Sequence, residues 1–216
     1  MPDPIKINSE LSAESDIYKT IAVASKGYFT EQKSKFISYA IPVQTPEEVK
    51  EKIDAYRKQY YDARHVCWAY MLGADRLQFR INDDGEPSST AGKPILGVIN
   101  SQGLTDVLIV VIRYFGGIKL GTSGLIAAYR ATAFDAITNA EIIEKTVNEV
   151  LSVEFSYPFL NHVMRIVKEM NPQILVQKFD MNCEMSLQIR RSERGKLQQR
   201  LLKVESLRLT TDHTSL

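Results

Sequence analysis

Two short segments of this 216-residue chain gather residue types that could do chemistry. The first reads Asp83-Asp84-Gly85-Glu86-Pro87-Ser88-Ser89-Thr90-Ala91-Gly92-Lys93-Pro94. Its carboxylates Asp83, Asp84 and Glu86 could hold a hard cation such as Mg²⁺ or act as acid and base. Two adjacent aspartates fall short of the ligand count of a dedicated cation site, so no metal is expected. Ser88, Ser89 and Thr90 become nucleophiles only beside a base, and spacing marks no such partner, so no catalytic residue is assigned. A tight surface turn would share the same Asp, Gly, Pro and Ser composition.

The second segment runs from Arg113 to Gly124 and carries Gly116, Gly117 and Gly121. A glycine-rich turn between a buried strand and a helix exposes backbone N–H groups at the helix N-terminus, where anions are favoured. Arg113 and Lys119 add charge, and Thr122 and Ser123 stand at the helix start. The spacing fits neither the Walker lysine motif nor the dinucleotide fingerprint. The glycines could also serve only the geometry of the crossing. Both readings remain open at this level.

Elsewhere, His65 and Cys67 form a His-x-Cys pair without the second pair a zinc site needs, so a packed or hydrogen-bonded histidine is expected. Tyr60-Tyr61 and Tyr114-Phe115 could stack bases or close a core edge. Arg190, Arg191, Arg194, Lys196, Arg200 and Lys203 cluster with only Glu193 opposing them. This is the best local basic patch and the candidate nucleic-acid surface, although a solvated helix face has the same composition.

The elements that position these residues follow from period and punctuation. Ile17 to Val43 reads as a strand pair around Gly27-Tyr28. Thr45-Pro46-Glu47-Glu48 opens a helix by cap, first-turn proline and capping box. Val66–Leu72 and Leu77–Ile81 read as strands joined by a turn at Gly73-Ala74-Asp75, and a short helix covers about 93–100. Thr105 to Ile112 is apolar throughout, as a strand buried on both faces must be. Leu125, Ala128, Tyr129, Ala133, Ala136, Ile137 and Ala140 form a helical stripe. From about 141 the order strand–helix–strand–strand–helix–strand is the ferredoxin-like pattern, with Ser192 expected to cap its last helix. The expected organisation is a flexible start over 1–16, one domain over 17–140 and a second over 141–216.

Composition bounds the function. With 44% apolar and 25% charged residues, both halves can bury a core. Lys plus Arg (27) nearly equals Asp plus Glu (26), so no whole-molecule field attracts DNA or an anionic membrane. Any basic recognition surface must be local. The start lacks the pattern of a signal peptide and no apolar run approaches a bilayer's thickness, so a cytoplasmic protein with reduced Cys67 and Cys183 is expected.

Gly92-Lys93-Pro94-Ile95-Leu96 and Val110-Val111-Ile112-Arg113-Tyr114-Phe115-Gly116-Gly117-Ile118-Lys119-Leu120-Gly121, with the Asp83–Ser88 loop and His65 before Cys67-Trp68-Ala69-Tyr70, resemble the signature of the YigZ/IMPACT family. Bacterial relatives commonly carry Gly where Ser89 stands. The resemblance implies an α/β (α+β) chain. Its first domain would be like the second domain of a ribosomal small-subunit protein, in a superfamily that also holds the GHMP kinases. Its ferredoxin-like second domain would be similar to the last domain of elongation factor G. It further implies regulation of translation, as in eukaryotic relatives that compete for the activator of the amino-acid-starvation kinase. The leading expectation is therefore a cofactor-free binding protein whose partner is RNA, the ribosome or a translation-associated protein. Its rivals are a phosphate-handling enzyme and a pure protein-binding regulator. If the two loops leave the sheet at one end, Arg113, Lys119, Gly116, Gly117, Gly121, Thr122 and Ser123 should share an anion-binding surface with Asp83, Asp84, Glu86, Lys93 and His65. Arg113→Ala should then abolish binding and leave the fold intact.

Overall fold

The structure, a computed structural model, describes residues 16–210. The expected flexible start over 1–16 lies, apart from Asp16, outside the described residues. They divide into two compact units, 17–145 and 146–210, the latter taking in Asp16.

The first unit is built on a five-stranded sheet of order β2-β3-β6-β4-β5, from Ser25–Glu31, Ser34–Pro42, Val107–Tyr114, His65–Leu72 and Gln78–Asn82. Every neighbouring pair is antiparallel. Strand β6 lies at the centre, which explains its unbroken apolar run: Leu108, Val110 and Ile112 face one layer, Ile109 and Val111 the other. Helix α1 (Pro46–Gln59) covers the first face through Val49 and Ile53. Thr45 Oγ1 accepts the Glu48 N–H at 3.2 Å, so the cap read from sequence is formed. Helices α2 (Gly92–Ser101) and α3 (Gly121–Thr138) cover the second face through Ile95, Ile99, Tyr129 and Ala133.

Two expectations change here. The hairpin between β2 and β3 turns at Gln32-Lys33, both in the left-handed region with φ of 44° and 65°, and not at Gly27-Tyr28. Gly27 sits within β2, where a Cβ would lie 2.3 Å from the Ala136 backbone nitrogen of α3. Its lack of a side chain admits a helix, not a turn. The expected boundary at 140 also falls short, because β7 (Ile142–Thr146) pairs with β1 (Ile17–Ile21) and keeps residues 141–145 in the first unit.

The second unit runs β8 (Asn148–Ser156), α4 (Leu160–Met170), β9 (Gln173–Lys178), β10 (Asn182–Arg190), α5 (Arg191–Leu201) and β11 (Arg208–Thr210). Its antiparallel sheet has the order β11-β8-β10-β9, the ferredoxin-like topology. Phe155, Met185 and Leu187 of the sheet pack on Val163 and Leu197 of the helices. Ser192 does not cap α5; its hydroxyl donates to Asp16 Oδ2 at 2.6 Å instead. Among the described residues no helix is long and apolar enough to cross a membrane.

Candidate functional site

Strands β5 and β6 are each antiparallel to β4, so they run the same way and end at the same edge of the sheet. The register fixes the consequence: Asn82 stands opposite Trp68, and Arg113 opposite His65. The acidic loop after β5 and the glycine-rich turn after β6 therefore meet. Between them lies a cleft of about 480 Å³ lined by Arg64, His65, Glu86, Arg113, Lys119 and Thr122, with Gly121 at the start of α3. Pro87, Phe115, Leu120 and Leu125 give it an apolar wall.

Arg113 and Glu86 form the inner end of the cleft. Their side chains are 6% and 3% exposed, and Arg113 Nη1 donates to Glu86 Oε1 at 2.6 Å. Tyr129 Oη donates to the same oxygen at 2.8 Å. The Arg113 guanidinium also contacts two rings, 5.5 Å from the Phe36 centroid and 5.6 Å from that of Phe115. One of its donors, Nε, is buried without an acceptor among the described residues. Arg113 is thus a keystone of the fold as well as a wall of the cleft. These contacts make a stability cost on its removal the expected outcome, against the expectation that the fold is spared.

His65 lies beside this pair. Its Nδ1 is 2.7 Å from the carbonyl oxygen of Asp84, which can only accept, so Nδ1 carries a proton. That leaves Nε2 toward Glu86, at 3.8 Å. In the neutral ring Nε2 is then the basic nitrogen, yet no hydroxyl hydrogen-bonds to it among the described residues. Cys67, two residues along β4, is fully buried. Burial pushes its thiol well above the ordinary range, with Glu86, Asp84 and Asp83 adding to the shift. Burial likewise pushes the Tyr129 phenol upward, reinforced by Cys67 and Glu86, so it remains a donor to Glu86.

Asp83 and Asp84 do not line the cleft. Asp83 Oδ1 accepts the Ala91 and Gly92 N–H groups at 3.0 and 2.8 Å, and Oδ2 accepts Ser89 N–H at 2.9 Å. It caps the start of α2, which has no cap of its own. Asp84 Oδ2 accepts Val66 N–H at 2.7 Å, and Oδ1 pairs with Arg57 at 2.8 Å. These carboxylates hold the loop shape; only Glu86 meets Arg113. Ser89 adopts φ of 64°, a conformation in which glycine would be unstrained. Lys93 is exposed on α2 and Ser123 on α3, neither lining the cleft. Gly117 and Gly121 have φ of 86° and 69°, so both are glycine for conformational reasons. Gly116 is glycine for space: its Cβ would lie 2.1 Å from the Lys33 carbonyl carbon.

Residues 32–137 match the Impact N-terminal domain, a span that contains the whole cleft. The chain is 36% identical over 152 residues to an IMPACT family member, YvyE, of Bacillus subtilis, covering 70% of each protein. It is 34% identical over 146 residues to the IMPACT family member YigZ of Escherichia coli, covering 67% of this chain and 72% of that one. The chain belongs to the IMPACT family. A crystal structure of a hypothetical protein superposes with a TM-score of 0.70 at 26% identity, over 93% of this chain and 100% of the other.

In this IMPACT family member the basic cluster of α5 is not one continuous patch. Arg191 and Arg194 both pair with Glu149 of β8, at 2.9 and 3.1 Å, and Arg200 pairs with Glu169 of α4. Arg190, Lys196 and Lys203 are exposed and make no ion pair among the described residues. Sequence reasoning missed Arg64 as a lining residue of the cleft and Tyr129 as the buried donor to Glu86. Arg64 carries no motif, and Tyr129 reads as one more buried position of the α3 stripe. The approach of strand β4 to β6 was the signal that could have placed Arg64 and His65 beside Arg113.

Proposed function

We propose that this protein is a translation-linked regulatory binding protein whose recognition surface is the cleft at the ends of β5 and β6, and that it takes an anionic group there. The charge balance of the cleft carries this reading. Its one carboxylate, Glu86, is already engaged by Arg113 and Tyr129, while Arg64 and Lys119 make no ion pair among the described residues. Helix α3 adds free N–H groups, since it begins with neither a side-chain cap nor an acidic residue in its first turn. A helix end contributes roughly 0.3–1 kcal/mol to one exposed charge, so the two cations must supply much of the affinity.

The link to translation rests on membership of the IMPACT family, for which the resemblance implies a regulatory role there. RNA, free or within the ribosome, offers the phosphates such a cleft would take. On the other unit, Arg190 at the end of β10, Lys196 of α5 and Lys203 just after it make no ion pair among the described residues and supply further cations. Salt-dependent RNA binding tests the reading. Arg64→Glu with Lys119→Glu should weaken binding and make its logarithmic salt slope shallower, by about 0.7 for each single-strand phosphate that is no longer neutralised. An unchanged affinity and slope in that double variant would rule the cleft out as the RNA surface.

A further inference from the structure

We infer that the anion taken by the cleft is a phosphate joined to a flat ring, the chemistry of a single nucleotide. This rests on the anion-binding reading above and narrows it. The lining combines two chemistries: Arg64, Lys119, Thr122 and the α3 N-terminus are polar, and Pro87, Phe115, Leu120 and Leu125 are apolar. Inorganic phosphate has no use for the apolar residues.

Phe115 is the residue that asks for a ring. It is 49% exposed although it lines the cleft. The Arg113 guanidinium lies 5.6 Å from its centroid, and Arg113 is itself fixed by Glu86 and Phe36. Phe115 thus contacts a fixed guanidinium while about half of the residue stays open, which offers an aromatic surface for stacking. Arg113 lines the same cleft, is 5% exposed and keeps one donor, Nε, without a partner. The volume, about 480 Å³, falls within the range of small-molecule sites and is too small for a length of folded strand.

Calorimetry on the full chain at low salt, with AMP, ribose 5-phosphate, adenosine and inorganic phosphate as probes, tests this. AMP should bind at least about fivefold more tightly than ribose 5-phosphate, the low end of what stacking one base on an aromatic ring gives. Phe115→Leu, which preserves an apolar contact with Arg113, should erase that advantage, so that AMP and ribose 5-phosphate bind that variant equally; Phe115→Tyr should retain it. A free nucleotide and the terminal nucleotide of an RNA share this chemistry. Comparing a short oligoribonucleotide with and without its 5′-phosphate separates them: a gain that depends on the phosphate and exceeds AMP identifies the RNA end. Equal affinity for AMP and ribose 5-phosphate would overturn the ring inference and leave the anion site standing. Equal affinity for AMP and adenosine would overturn the anion site itself. Absence of binding by every mononucleotide would overturn the inference, with the salt-dependence experiment deciding the anion reading separately.

Discussion

Replacing Arg113 by alanine should lower stability by about 3–5 kcal/mol, the cost of breaking a buried ion pair on one side only. The loss is large because Glu86 stays behind. It is 3% exposed, and after the substitution its nearest polar neighbours are the Tyr129 hydroxyl at 2.8 Å and His65 Nε2 at 3.8 Å. One hydrogen bond does not replace the hydration of a carboxylate. Alanine also removes the guanidinium and with it the cation–π contacts to Phe36 and Phe115. Against a typical total of about 5–15 kcal/mol, such a variant would be close to unfolding at body temperature. The double substitution Arg113→Met with Glu86→Gln discriminates the causes, because exchanging a whole buried pair for neutral groups of similar volume is often nearly neutral. Urea denaturation should show the double variant well above Arg113→Ala. If Arg113→Ala loses under about 1 kcal/mol, the pair is not a keystone of the fold.

The second large effect belongs to Gly116. A Cβ there would lie 2.1 Å from the carbonyl carbon of Lys33, 2.3 Å from its oxygen and 2.3 Å from Ser34 N. All three are backbone atoms, so no rotamer change relieves the clash. The β2–β3 turn must move away from the exit of β6, breaking the bond from Gly116 N–H to Ser34 Oγ. Gly116→Ala should cost about 3 kcal/mol, the upper end for overpacking. Gly117→Ala is the control: nothing lies within 4 Å of its Cβ position, and only its φ of 86° opposes a side chain. That strain is about 1–2 kcal/mol. Denaturation midpoints should rank the wild type above Gly117→Ala and that above Gly116→Ala; the reverse order would contradict the close approach.

These two residues also show what the sequence discloses and what it withholds. The capped start of α1, the buried strand β6 and the ferredoxin-like order are written in local pattern and emerge as expected. The meeting of the two loops was a conditional expectation that leaned on the family fold, and the pairing of β5 and β6 with β4 supplies its condition. The orientation of Asp83 and Asp84 was not. An aspartate among glycines and serines looks the same whether it faces solvent or accepts backbone N–H groups, and here both accept them. Gly116 and Gly117 are likewise indistinguishable as letters, although one is forced by a neighbouring strand turn and the other by its own φ. The α5 cluster reads as a single patch because Glu149 and Glu169, which divide it, are distant in sequence.

The most direct test of the cleft as an anion site is to follow backbone amide resonances while adding inorganic phosphate or a short single-stranded RNA at low salt. The largest shifts should fall on Gly121–Gly124 at the start of α3, with Arg64, His65 and Phe115–Leu120 following, and should vanish in the Arg64→Glu, Lys119→Glu variant. Saturable shifts confined to other surfaces, with the amides of 121–124 unmoved, would contradict the account.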